Sequence, residues 1–101
     1  MVGAGVVGLS CGIKLLESGY RTRIVSRDVS PDTVSDIAAA WWYPFLAEPV
    51  EKTTRWSIET YHELLRLKRE FQLGFITMRR GVEYLVKPRA PPKWSDGISH
   101  F

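Results

Sequence analysis

The chain has 101 residues, enough for one small domain, and its 45% hydrophobic and 25% charged content excludes an intrinsically disordered chain. Fourteen basic against eleven acidic residues give a formal charge of +3, and only Arg79-Arg80 and Lys87 to Arg89 lie close together, so the dense basic stripe of a nucleic-acid binder is absent. A single cysteine, Cys11, excludes an internal disulfide and a multi-cysteine metal site, and no apolar run approaches the ~20 residues of a membrane span.

The first segment, Gly3-Ala4-Gly5-Val6-Val7-Gly8, fits G-x-G-x-x-G. In that pattern the first glycine permits a tight strand-to-helix turn. The second lets a pyrophosphate reach the backbone, and the third lets the helix pack on the strand. Free N–H groups and the positive end of the helix dipole then face the phosphates. Only Met1 and Val2 precede the loop, so the strand before it is mostly missing. The chain also ends, Ser99-His100-Phe101, without a stop signal, and an incomplete chain is expected. No basic stretch precedes an apolar one at the start, so no signal peptide is expected.

A helix is predicted from about Val6 to Ser18, closed by Gly19 in a left-handed conformation. Ser10, Lys14 and Glu17 form its outer stripe, and Gly8 and Gly12 let its axis approach the sheet. Cys11 reads as a packing residue of this helix. Arg21 to Ser26 is a short strand candidate, completing a βαβ-type context for the glycine loop. That context points to a dinucleotide; the simpler alternative is a glycine-rich helix start that only packs tightly. The fingerprint wants an acidic residue about 20 positions on, for a ribose hydroxyl. Asp28 lies there, but Arg27 takes the strand-end position and could instead meet a 2′-phosphate. The loop alone does not separate FAD, NAD and NADP.

A loop is predicted from Val29 through Asp36, running into Ile37-Ala38-Ala39-Ala40-Trp41-Trp42-Tyr43-Pro44-Phe45. The small alanines would let a cofactor lie against the backbone, and the aromatics would wall its reactive end from water. The alternative is that the aromatics are core, a reading at least as strong for Trp42 and Phe45. A second helix is predicted from about Thr54 to Phe71, with Thr53 or Thr54 as N-cap. Arg55, Glu59, His62, Glu63, Arg66, Arg69 and Glu70 share its charged face; Trp56, Ile58, Tyr61, Leu64, Leu65, Leu67 and Phe71 share the apolar one. Phe75 to Met78 and Val82 to Val86 read as a hairpin turning at Arg80-Gly81, after which Pro88, Pro91 and Pro92 break regular structure. His62 and His100 read as surface residues without a catalytic partner.

The segments MVGAGVVGLSCGIKLLESG, RDVSPDTVSDIAAAWWYPF, RWSIETY and GVEYLVK…PPKWSDGISHF together resemble the N-terminal part of D-amino acid oxidases, a family that includes D-aspartate oxidases. The D-x-A-A-A-x-W-x-P pattern, Asp36 to Pro44, is far more specific than the glycine loop. The resemblance runs collinearly through essentially the whole chain. It implies an α/β fold: the N-terminal part of a Rossmann-like FAD-binding domain over 1–73, then the start of a mixed or antiparallel substrate-domain sheet over 74–101. It implies FAD as cofactor and a D-amino acid and oxygen as reactants. In the family, hydride passes from the substrate α-carbon to the flavin, the imino acid hydrolyses to a 2-oxo acid and ammonia, and oxygen reoxidises the flavin to give hydrogen peroxide.

By position, Gly3, Ala4, Gly5, Val6, Val7 and Gly8 would hold the pyrophosphate, and Arg27 and Asp28 would sit by the adenosine. The family often has acid then base at that pair; here the order is reversed. Val34 and Ser35 would lie along the pyrophosphate and ribityl chain. Ala39, Ala40 and Trp41 would flank the flavin, and Tyr43 would face the substrate. The family's substrate-gripping arginine and tyrosine lie beyond this region, so no catalytic residue and no metal ligand is assigned. A chain of this extent is expected to be inactive alone. The alternatives are an NADP-dependent dehydrogenase and a truncated, non-catalytic flavin-binding chain. A cytoplasmic or peroxisomal protein is expected, with no nucleic-acid or membrane partner. A homodimer is one option for its assembly.

Overall fold

A glycine turn leads into α1 (Val6–Glu17). The computed structural model describes residues 1–38 and 40–98 and divides into two units, Met1–Trp41 and Trp42–Phe101. The end of α1 follows its sequence. Ser18 is the C-cap and Gly19 takes φ +82°. The Gly19 N–H donates to Leu16 O and the Tyr20 N–H to Leu15 O, both at 2.9 Å. This double bond pattern closes the last carbonyls, and a left-handed residue makes it possible.

The strand predicted over 21–26 is reduced to one contact. Val2 and Val25 form a parallel bridge. Gly3 N–H donates to Val25 O at 2.8 Å and Val25 N–H to Met1 O at 2.9 Å. The geometry is that of the first parallel pairing in a βαβ unit, with α1 as the crossover. No longer strand forms among the described residues. A lone strand pair is marginal without a third strand or a covering layer. Val2 and Val25 are exposed, as are Val6, Val7, Ile13 and Leu16 on α1. Only Gly12 of α1 is buried, where Ile24 and Met1 lie against it, and Cys11, expected to pack, is exposed.

The loop predicted over 29–36 contains α2 (Val34–Ile37), a single turn. Its start carries a T-x-x-D capping box that the sequence reading passed over. Asp36 Oδ2 accepts from the Thr33 N–H at 3.0 Å and the Thr33 hydroxyl at 2.6 Å, and Asp36 Oδ1 accepts from the Ser30 hydroxyl at 2.8 Å. These bonds, the Thr33 hydroxyl first, hold the Asp36 carboxyl below its ordinary value. A depressed folded-state value means that the stabilisation is complete above the ordinary carboxylate range of about 4 and is lost as pH falls through the lowered value. Asp36→Asn is therefore expected to lower the melting temperature of the protein at neutral pH. The gap to wild type should close in acid, as a pH series of thermal melts would read. A gap constant across that series would refute the capping role.

In the second unit α3 (Val50–Phe71) begins four residues before the predicted Thr54. Pro49 is the N-cap, and the Glu48 carboxylate accepts the Val50 N–H at 3.2 Å. Thr53, a candidate cap in the sequence, instead turns its hydroxyl back onto Pro49 O at 3.1 Å. The helix ends at Phe71 as predicted, with Gln72 left-handed at φ 51°. Its charged face carries the Arg66–Glu63 pair at 2.7 Å, an Arg66–Glu70 pair and Arg55–Glu59 at 3.6 Å. These are exposed or half-exposed pairs of small individual worth. On the opposite face Tyr61 is buried, while Trp56 and Phe71 stay exposed.

The hairpin predicted over 75–86 is absent among the described residues; that stretch is irregular and exposed, Tyr84 at 93% and Val86 at 100%. An isolated hairpin has no face to bury, so alternation alone does not hold one together. The chain then forms a 3₁₀ helix, Lys93–Gly97, which packs on α3. His62, read as a surface residue, makes a 3.1 Å hydrogen bond through Nε2 to Gly97 O and helps fix that contact. His100 lies outside the described residues.

Candidate functional site

The glycine turn is built by close approach. Gly3 has φ +98°, a conformation that side chains disfavour. This sets its carbonyl under Gly8, where an added Cβ would lie 2.9 Å from the Gly3 carbonyl carbon and closer still to its oxygen. A Cβ on Gly5 would lie 2.9 Å from Ser35 Oγ. At Gly8 the obstacle is backbone and only hydrogen fits, whereas at Gly5 the Ser35 hydroxyl would have to move aside.

Ser35 comes from α2 to the start of α1. Its Oγ accepts the Val6 N–H at 3.0 Å. On the other side of the turn, Ser26 Oγ accepts the Ala4 N–H at 3.1 Å and donates to Asp28 O at 2.6 Å. Ser26 thereby ties the glycine turn to the Arg27-Asp28 corner. The sequence reading did not single it out. Its only signal was a hydroxyl at the end of a strand candidate, next to the expected ribose position.

Met1, Val2, Gly3, Gly5, Val6, Val7, Gly8, Cys11 and Ser35 line a cleft of about 370 Å³. The N–H groups of Gly5, Val7 and Gly8 carry no hydrogen bond among the described residues. Unpaired first-turn N–H groups at the positive end of a helix dipole suit a bound anion. These residues fit the diphosphate of a dinucleotide: the backbone is bare where it must be approached, and the donors there are unspent. The arrangement can bind and orient such a group.

The other predicted positions are distributed as follows. Ala4 is buried beneath the turn. Val34 is exposed beside Ser35. Arg27 Nε and Nη2 donate to Asp28 Oδ2 at 2.8 and 2.7 Å. That pair raises the Arg27 pKa above its ordinary value. Ala40 and Trp41 are exposed and do not line the cleft. Ala39 lies outside the described residues.

Tyr43 belongs to the second unit, where its ring meets Trp94 edge-on at 5.5 Å and stacks loosely on Phe45 at 6.5 Å. Trp42 packs against Tyr61 at 5.0 Å and Trp94 at 5.4 Å, and its Nε1 donates to Ser57 O at 3.1 Å. Trp42 is thus half-buried and packed on the buried Tyr61 and Trp94, while Phe45 is 65% exposed. Among the described residues no helix is long and apolar enough to cross a membrane, and no cluster of three or more His, Cys, Asp or Glu could hold a metal ion.

Several curated proteins are similar in sequence to this chain. A D-amino-acid oxidase of Dictyostelium discoideum is 47% identical over 104 residues, covering all of this chain and 30% of that protein. One from Rubrobacter xylanophilus is 38% identical over 103 residues, covering all of this chain and 31% of that protein. A human D-aspartate oxidase is 33% identical over 109 residues, again covering all of this chain and 32% of that protein. The chain therefore spans just under a third of the length of the curated relatives it matches. No solved structure matches it. The sequence model of the FAD-dependent oxidoreductases designated DAO, a family whose cofactor-binding domain is Rossmann-like, matches residues 1–98. A glycine turn with unspent N–H donors, one parallel pairing beside it and a match across nearly the whole sequence meet in one assignment: the chain belongs to this family of FAD-dependent oxidoreductases.

Proposed function

We propose that the protein to which this sequence belongs is a D-amino acid oxidase that deaminates D-amino acids to 2-oxo acids with release of ammonia and hydrogen peroxide. Bound FAD would supply the redox chemistry, taking hydride from the substrate and passing its electrons to oxygen. The observation that carries the reading is the bond from Val6 N–H to Ser35 Oγ. It joins the two motifs of the sequence, the glycine turn and the segment leading to the alanines and tryptophans, at a single cleft.

In this reading Gly3 to Gly8 hold the diphosphate through backbone N–H groups, and Ser35 fixes the turn. Arg27 and Asp28 stand by the adenosine. Val34 lies along the ribityl chain, Ala39, Ala40 and Trp41 flank the flavin, and Tyr43 faces the substrate. Residues 1–73 belong to the cofactor domain and 74–101 open the substrate domain.

Purification of the full-length protein tests this directly. It is expected to carry tightly bound yellow FAD and to release peroxide from D- but not L-amino acids. A colourless protein that binds NADP would overturn it.

A further inference from the structure

Between residues 77 and 91 the chain makes no regular structure. Among the described residues, every hydrogen bond of that run belongs to one cluster. The Tyr43 hydroxyl donates to Glu83 Oε2 at 2.7 Å and accepts from Arg89 Nη2 at 3.1 Å. Arg89 Nη2 also donates to both Glu83 oxygens at 2.8 Å. Glu83 and Arg89 therefore close a loop on themselves, and the Tyr43 hydroxyl is the hydrogen-bonded pin that fastens it to the rest of the unit.

The pin sits beside a cleft of about 290 Å³. Arg89 and Ala90 of the run line it together with Tyr43, Pro44, Phe45 and Trp94. Val82, Tyr84 and Val86 face solvent and do not anchor the run, and Leu85 is only partly covered, at 45% exposure. The Glu83 carboxylate, the largest cause, pushes the Tyr43 phenol above its ordinary pKa and keeps it a donor.

We propose that residues 79–91 are a strap, latched by Tyr43 to the Glu83–Arg89 pair, whose release opens the aromatic cleft beside Tyr43. A latch of one phenol and one half-exposed ion pair is weak enough to open and close in the native protein. The strap shares Tyr43 with the proposed substrate side, but it rests on the hydrogen bonds of that phenol alone and its test does not use activity.

Limited trypsin digestion of the full-length protein, read by mass spectrometry, is the experiment. The strap offers Arg80-Gly81 and Arg89-Ala90, while Lys52-Thr53 in α3 is an internal reference. Tyr43→Phe keeps the ring against Trp94 and removes the pin. Its cleavage at Arg80-Gly81 is expected to rise about five-fold relative to Lys52-Thr53, since cleavage follows the open population. Glu83→Ala, which removes the acceptor and leaves the tyrosine intact, should give a rise of the same order. Unchanged ratios in both variants would overturn the strap. So would a parallel rise at Lys52-Thr53, which would mean general unfolding and not a local release.

Discussion

Gly8→Ala is expected to leave the full-length protein destabilised and depleted of flavin. The added methyl would meet the Gly3 carbonyl, which is backbone and not the tip of a side chain. That carbonyl has no easy retreat. Gly3 already sits at φ +98°, and its N–H is bound to Val25 O in the parallel pairing. Either α1 moves away from the turn or the turn opens. Overpacking of this kind costs roughly 1–3 kcal/mol, and a rigid obstacle places Gly8 at the upper end. Both escapes also displace the Gly5, Val7 and Gly8 N–H groups that face the cleft. Each 1.4 kcal/mol lost there is about a ten-fold loss of dinucleotide affinity.

Gly12→Ala is the control. Its methyl would meet Ile24 Cδ1 at 3.0 Å and Met1 Cε at 3.5 Å, both ends of flexible side chains. Its cost should be under about 1 kcal/mol, because such ends can shift aside. Flavin absorbance per mole of purified protein, with a urea melt of each variant, separates the two. Equal flavin content in wild type and Gly8→Ala would refute the turn as the cofactor cradle.

The contrast between those two glycines marks what the sequence made legible. Spacing alone identified the glycine turn, the extent of α1 and the Gly19 cap, because each depends on contacts within a few residues. The end of α3 at Phe71 is local in the same way. Partnerships that cross longer stretches of chain were not legible. Ser26 to Ala4 and Ser35 to Val6 join hydroxyls to backbone groups 22 and 29 residues away, and serines are too common to signal such a role. The α2 turn was legible in principle, since T-x-x-D is a capping pattern, but the proline and polar residues around it read as loop. The hairpin over 75–86 failed for another reason. Alternation describes a face that could be buried, and burial needs a second layer that the described residues do not provide. The aromatic segment was legible as unusual, and a core reading was open for both Trp42 and Phe45, yet its order did not say that Trp42 packs half-buried on Tyr61 and Trp94 while Trp41 and Phe45 stay exposed.

Trp94→Ala should have the largest effect in the second unit. Among the described residues, Tyr61 and Trp94 are its buried hydrophobic side chains, at 6% and 7% exposure. Trp94 is the hinge of the aromatic packing: Trp42 meets it at 5.4 Å and 85°, and Tyr43 at 5.5 Å and 79°. Removing an indole from such a site costs about 3–5 kcal/mol, through lost burial and the cavity left behind. That is a large share of the 5–15 kcal/mol typical of a whole domain. The 3₁₀ helix carrying Trp94 would lose its seat on α3, and the His62–Gly97 bond would go with it. Hydrogen exchange of the full-length variant is expected to show α3 amides around Tyr61 deprotected, while α1 amides keep wild-type protection. Trp94→Phe should retain part of the protection, since one aromatic ring still meets Trp42. Tyr84→Ala, at a ring 93% exposed, should change nothing. If α3 stayed protected in Trp94→Ala, the aromatic cluster would not be what holds this unit. Trp42 would then be open to the cofactor-side role that its place beside the alanines first suggested.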